Sequence, residues 1–246
     1  MPEKSTQQAQ AYLEENGHTC ALISHLPTIR WLTGFSGSRG ICILTPATCT
    51  LLIPELYKEQ AKNETTCDIA VTYKSLTQSI SEDNLLTNHK EVLFEEDHMT
   101  VKRLLSLQDF FSEKIFVPQS SLFSSYRAQK TQKEITSIKE AQRITDTVFT
   151  EIRKDVQPGI SERDLAAKIV YEHLRRGADK MSFDPIVASG ENSSNPHARP
   201  TNRVFQKGDI VVIDMGCFFD GYASDMTRTV CVGEPSQTQC NVYNTF

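Results

Sequence analysis

Two aspartates, Asp214 and Asp225, flank an Asp220-Gly221 dipeptide within the β-rich run 210–230. Asp-Gly between two such runs is the strongest short-range signal for a two-residue type I′ hairpin, because both central residues must adopt φ > 0. A turn centred there pairs Phe219 with Tyr222, Gly216 with Asp225 and Asp214 with Thr227. Opposite residues share a face, and so do residues two apart along a strand, so Asp214 and Asp225 fall diagonally on one side of the ribbon. That diagonal separates Cα atoms by roughly 7–8 Å. Carboxylates converging from there can hold cations about 3.5–4 Å apart, the spacing of two-metal hydrolytic sites. Gly216 opposite Asp225 adds no side chain to block them. Ile210 and Val212 alternate with Asp214 and predict a buried setting for that face. Two ionised carboxylates buried together repel and lose hydration, so either their pKa values rise or a cation sits between them. The plain alternative is a hairpin whose aspartates point to solvent.

The elements around the hairpin must hold it in place. Up to about residue 123, short apolar runs at 20–23, 40–45, 50–53, 69–72, 92–94 and 114–117 alternate with helix-like stretches such as 54–63 and 100–111. This alternation argues an α/β domain. A polar, basic stretch at 126–133 without apolar periodicity marks the boundary, giving domains 1–126 and 127–246. Thr131 with Glu134 forms a capping-box pattern, and Ile135, Ile138, Ile144, Val148 and Ile152 then recur at helical spacing. Ser161 and Asp164 offer a second box, with Leu165, Ala166, Ile169 and Val170 following and Gly177 as the stop. A strand at 183–188, a polar loop at 189–202 and the hairpin complete an α+β layer, and 235–246 reads as the start of another helix.

The composition bounds the chemistry. The chain has 246 residues, 39% of them hydrophobic, and a net charge of −5, with basic residues scattered rather than striped. These values leave room for a substantial core and argue against a nucleic-acid partner. No run of 18 apolar residues occurs, and the first residues lack an apolar segment, so the expectation is no membrane association and a soluble protein of the cytoplasm. The seven cysteines show no CxxC spacing and read mostly as small core residues. Gly34, Gly37 and Gly40 fit a tight turn better than a phosphate cradle, and no GxSxG elbow appears. Arg228 is expected to pair with a nearby carboxylate, and His18, His25, His89, His98 and His173 read as surface or satisfied core residues.

Several ordered segments together resemble the Xaa-Pro aminopeptidase and prolidase family. They are Ser182-Phe183-Asp184-Pro185 with the apolar run after it, Pro196-His197-Ala198-Arg199-Pro200, Gly208-Asp209, Asp214-Met215-Gly216, and Ser224-Asp225-Met226-Thr227-Arg228-Thr229. The match spans roughly 127–232, and Thr33-Gly34-Phe35-Ser36-Gly37-Ser38 resembles that family's non-catalytic N-terminal domain. The resemblance implies an α/β N-terminal domain followed by a "pita-bread" α+β catalytic domain, of which this chain carries the first half. It implies a metal-dependent exopeptidase that cleaves between an N-terminal residue and proline by a dinuclear-metal-activated hydroxide. Two divalent cations, commonly manganese, would be the cofactors. By position Asp214 matches a ligand of one metal, Asp225 the carboxylate bridging both, and His197 the histidine that steadies the tetrahedral intermediate. The family adds a histidine and two glutamates from further downstream, and this sequence stops before them. Hence the chain by itself is expected to bind metal weakly and to be inactive, with a catalytically silent pita-bread binding protein as the alternative. A metal-free relative resembling creatine amidinohydrolase is disfavoured by the retention of both aspartates. The resemblance also implies a peptide substrate with proline at its second position and association into homo-oligomers.

Overall fold

The computed structural model describes residues 2–82 and 84–245. The chain divides into two compact units, Met1–Gln129 and Lys130–Phe246.

The first unit runs α1 (Pro2–Glu15), β1 (Ala21–Ile23), α2 (Leu26–Thr33), β2 (Ile41–Leu44), β3 (Cys49–Pro54), α3 (Lys58–Glu64), β4 (Asp68–Thr72), α4 (Leu76–Glu82), β5 (Glu91–Glu95), α5 (Val101–Phe110), β6 (Ile115–Gln119) and α6 (Ser124–Ala128). Its six-stranded sheet has the order β4-β3-β2-β1-β5-β6. Strands β1, β2 and β3 are antiparallel neighbours, and the β3–β4, β1–β5 and β5–β6 pairs are parallel. Both faces of the sheet are covered. Ala21, Ile23, Cys42, Leu44, Leu51 and Ile53 pack into one core, and Leu22, Ile41, Ile43 and Leu52 into the other. Burial on both sides is why these strands read as continuous apolar runs rather than as alternation.

The second unit begins with α7 (Gln132–Ile152) and α8 (Glu162–Arg175), each opened by its capping box: Thr131 with Glu134, and Ser161 with Asp164. Strands β7 (Lys180–Met181), β8 (Ile186–Ser189), β9 (Ile210–Met215), β10 (Cys217–Phe219), β11 (Tyr222–Ala223) and β12 (Met226–Cys231) follow, then α9 (Gln237–Tyr243). The helix expected over 235–246 is thus present as α9, and Phe246 itself lies outside the described residues. The strands form two small sheets, β11-β10-β7 and β12-β9-β8. Ile144, Val148 and Ile152 of α7 and Leu165 and Ile169 of α8 bury against Val187, Val211, Ile213 and Met215.

That packing corrects one expectation. Along β9 the fully covered face is Val211, Ile213 and Met215, whereas Ile210, Val212 and Asp214 are only partly covered. Both faces of the strand are apolar enough to be buried. The two helices settle the matter by packing against the odd-numbered side.

Candidate metal and peptide site

The hairpin forms in the expected register. Asp220 and Gly221 both have positive φ, +46° and +70°, as a type I′ turn requires. Phe219 pairs with Tyr222 and Asp214 with Thr227. Between β11 and β12 the chain alternates strictly. Ser224 and Met226 are buried and Asp225 is exposed, while Ile213 and Met215 are buried around a half-exposed Asp214. The two carboxylates therefore share the open face of the ribbon.

Ser224 enforces this alternation. Its hydroxyl lies 2.8 Å from Thr145 Oγ1 and accepts the Cys217 N–H at 3.0 Å, and its own N–H donates to the Cys217 carbonyl at 2.8 Å. With Ser224 held inward, Asp225 turns outward. Gly216 serves this crossing more directly than expected. A Cβ there would collide with the Ser224 carbonyl oxygen and the Ser182 hydroxyl, so the space opposite Asp225 is occupied by backbone that only glycine admits. Thr227 Oγ1 donates to Asp214 Oδ1 at 2.8 Å and fixes that carboxylate's orientation. Arg228 departs from the expected ion pair, since its guanidinium bonds the Thr227 carbonyl at 2.9 Å and it points away from the core on an exposed strand position.

His197 is exposed, in the loop after β8, where its N–H donates to Asn195 Oδ1 at 3.0 Å. It lines an open cavity of about 360 Å³ with Asp184, Pro185, Ile186, Ala198, Arg199 and Pro200. Ile186 is paired directly with Asp214 across the β8–β9 ladder. The cavity wall and the carboxylate are thereby neighbours in one sheet.

The loop that carries His197 is anchored by a residue the sequence reading passed over. Glu162 has 0% exposure, and its carboxylate accepts from Ser189 N and Oγ, from Asn192 Nδ2, and from Thr201 N and Oγ1, all between 2.6 and 3.3 Å. These donors bracket His197 on both sides. Burial pushes the Glu162 carboxyl up, but the donors from Thr201 and Ser189 outweigh it and hold the pKa below the usual carboxylate range. Arg203 closes the loop with a two-pronged pair to Asp209 (2.5 and 3.0 Å) and a 2.7 Å bond to Ser189 Oγ. A signal for Glu162 was present, because it lies on the stripe of Leu165, Ala166, Ile169 and His173. A charged residue on an otherwise buried helical stripe needs partners.

Asp214 and Asp225 are hard oxygen donors and so fit a divalent cation in kind. In number they fall short of the usual six ligands. Among the described residues no group of three or more His, Cys, Asp or Glu side chains is gathered to hold a metal ion.

Each of the two units matches a known family model. Residues 6–129 match the creatinase/prolidase N-terminal domain, and residues 136–246 match metallopeptidase family M24. The uncharacterized peptidase YqhT of Bacillus subtilis is 34% identical over 223 residues, covering 90% of this chain and 63% of that protein. An Xaa-Pro dipeptidase of Pyrococcus horikoshii is 30% identical, covering 94% of this chain and 65% of the relative. The chain thus spans under two thirds of the length of these curated relatives. Among solved structures, the Xaa-Pro dipeptidase from Bacillus anthracis superposes with a TM-score of 0.93 at 28% identity, covering 99% of this chain and 69% of that one.

Proposed function

Because the chain belongs to metallopeptidase family M24, with a creatinase/prolidase N-terminal domain ahead of a pita-bread unit, we propose that it carries part of an exopeptidase site. That site cleaves the bond between an N-terminal residue and proline. The observation that carries this reading is the shared open face of Asp214 and Asp225, with the His197 cavity joined to it through the Ile186–Asp214 pair.

Asp214 and Asp225 would hold divalent cations, two of them and most simply Mn²⁺, as carboxylate oxygens suit hard or borderline ions. When bound, such cations polarise the scissile carbonyl and lower the pKa of water, which is the chemistry amide hydrolysis needs. The rest falls to this chain's own residues. Thr227 keeps Asp214 aimed at the open face. His197, held at the cavity edge by the loop that Glu162 ties down, donates a hydrogen bond to the carbonyl oxygen as charge develops on it. Pro185, Ile186, Ala198 and Pro200 give the cavity an apolar wall. Such a wall suits a proline ring, which has no N–H and must be recognised by shape.

The 246-residue polypeptide by itself we take to be a weak metal binder without turnover, because two carboxylates are too few donors. The same shortage supports a second reading, a pita-bread protein that binds peptides without cleaving them. No helix among the described residues is long and apolar enough to cross a membrane. A cytoplasmic homo-oligomer acting on peptides, with no nucleic-acid partner, completes the reading.

The test is hydrolysis. This chain, and any longer product of the same gene, is incubated with Mn²⁺ and either Gly-Pro or a longer Xaa-Pro peptide, and released amino acid is measured. We expect release by the longer product only, abolished by Asp214→Asn and slowed about 10²–10³-fold by His197→Ala. Equal release from peptides with alanine in place of proline, or full activity in Asp214→Asn, would overturn the assignment.

A further inference from the structure

Three thiols meet in the first unit. Cys42 on β2 and Cys49 at the start of β3 lie on the same sheet face, because Cys42 pairs with Leu51 and Leu44 with Cys49. Their Sγ atoms are 3.4 Å apart. Strand β4 runs parallel to β3 with Thr50 beside Asp68, so the next residues back, Cys49 and Cys67, are also neighbours. Cys67 packs against the same core cluster that holds Cys42 and Cys49, and its thiol lies 2.9 Å from Thr65 Oγ1. All three cysteines are free.

Their exposure is graded. Cys67 is half-buried, Cys49 is 8% exposed and Cys42 is 0% exposed. One small buried cysteine needs only core packing to explain it. Three in contact, ordered from solvent to core, form a path along which a disulfide can migrate.

We propose that Cys67, Cys49 and Cys42 form a thiol relay that takes up oxidation at the surface and stores it as a Cys42–Cys49 disulfide between β2 and β3. The oxidant is a small-molecule disulfide, R–S–S–R. The Cys67 sulfur attacks one of its sulfurs, the S–S bond breaks, and R–SH leaves with the proton lost from Cys67. Cys49 then attacks the Cys67 sulfur of the mixed disulfide and releases the second R–SH. Finally Cys42 attacks Cys49, and Cys67 leaves as a thiol. In sum two protein thiols are oxidised and one small disulfide is reduced to two thiols. The last bond closes the 3.4 Å gap to about 2.05 Å, a movement within reach of side-chain rotation. The neighbouring thiol and burial raise the pKa of Cys67, and the contact with Cys42 raises that of Cys49. The thiolate is the attacking form, so the exchange is slow.

Tryptic mapping of the folded protein tests this. Cys42 and Cys49 fall in one peptide, 40–58, and Cys67 in another, 63–74. The protein is held with oxidised glutathione, quenched in acid, then unfolded in denaturant with excess N-ethylmaleimide near neutral pH so that every remaining thiol is alkylated, and digested. The relay gives a 40–58 peptide lacking two hydrogens and carrying no alkyl group, with Cys67 alkylated. Cys67→Ser slows formation of that peptide about tenfold or more, because the accessible entry thiol is gone. Cys42→Ser stops the path one step earlier and leaves peptides 40–58 and 63–74 cross-linked. A 40–58 peptide alkylated at both cysteines while Cys231 and Cys240 become glutathionylated would overturn the proposal. So would an unchanged rate in Cys67→Ser, a half-buried position whose substitution leaves the core in place.

Discussion

Glu162 concentrates more hydrogen bonding than any other carboxylate around the candidate site. Its partners come from both ends of the loop carrying His197. Removing the charge leaves these donors facing an amide that can accept at only one end. Glu162→Gln is therefore expected to cost about 2–3 kcal/mol, seen as a lower denaturant midpoint, and to make the 189–201 loop susceptible to limited proteolysis. An unchanged midpoint with an intact loop would show that the anchor is dispensable. Gly216 is the second position where one residue decides the geometry. Gly216→Ala places a methyl against the Ser224 carbonyl. Because that contact is with backbone, the variant should be destabilised by about 1–3 kcal/mol, and wild-type stability in a melt would argue that the strands can part without cost. From the sequence, Gly216 was legible only as an unblocked position, since the close approach of Ser224 depends on how β11 and β12 are offset.

The hairpin was readable at the level of elements because each of its rules is local. A type I′ turn at Asp220-Gly221 fixes the register, and the two-residue period then puts Asp214 and Asp225 on one face. The capping boxes of α7 and α8 were readable for the same reason. Thr131→Ala should lower stability by about 1 kcal/mol through loss of the α7 cap, measurable by chemical denaturation, and no change would mean that packing alone starts the helix. The buried face of β9 was not readable. Val211 and Ile213 are no more apolar than Ile210 and Val212, and the choice belongs to α7 and α8. Two-residue β7 left no periodic trace, and it is defined only by its pairing with β10.

For the molecule as a whole, carboxylates with lowered pKa set the response to acid. The Arg203 guanidinium holds Asp209 low, and at Glu162 and Glu134 burial pushes upward while hydrogen-bond donors pull further down. Each binds its proton less readily folded than unfolded, so its contribution is complete above the unfolded pKa and is lost as pH falls through the folded value. Denaturant midpoints should therefore stay level near neutrality and drop below about pH 4, and a midpoint rising with acid would contradict the shifts. The central claim, that Asp214 and Asp225 act together toward a cation, is tested most directly by calorimetric titration of Mn²⁺ into the 246-residue chain and its Asp214→Asn and Asp225→Asn variants. Weak binding, with a dissociation constant of about 0.1–1 mM, that disappears in either variant is the predicted result. Binding unaffected by both substitutions, or tight uptake of two ions by the unaltered chain, would contradict it.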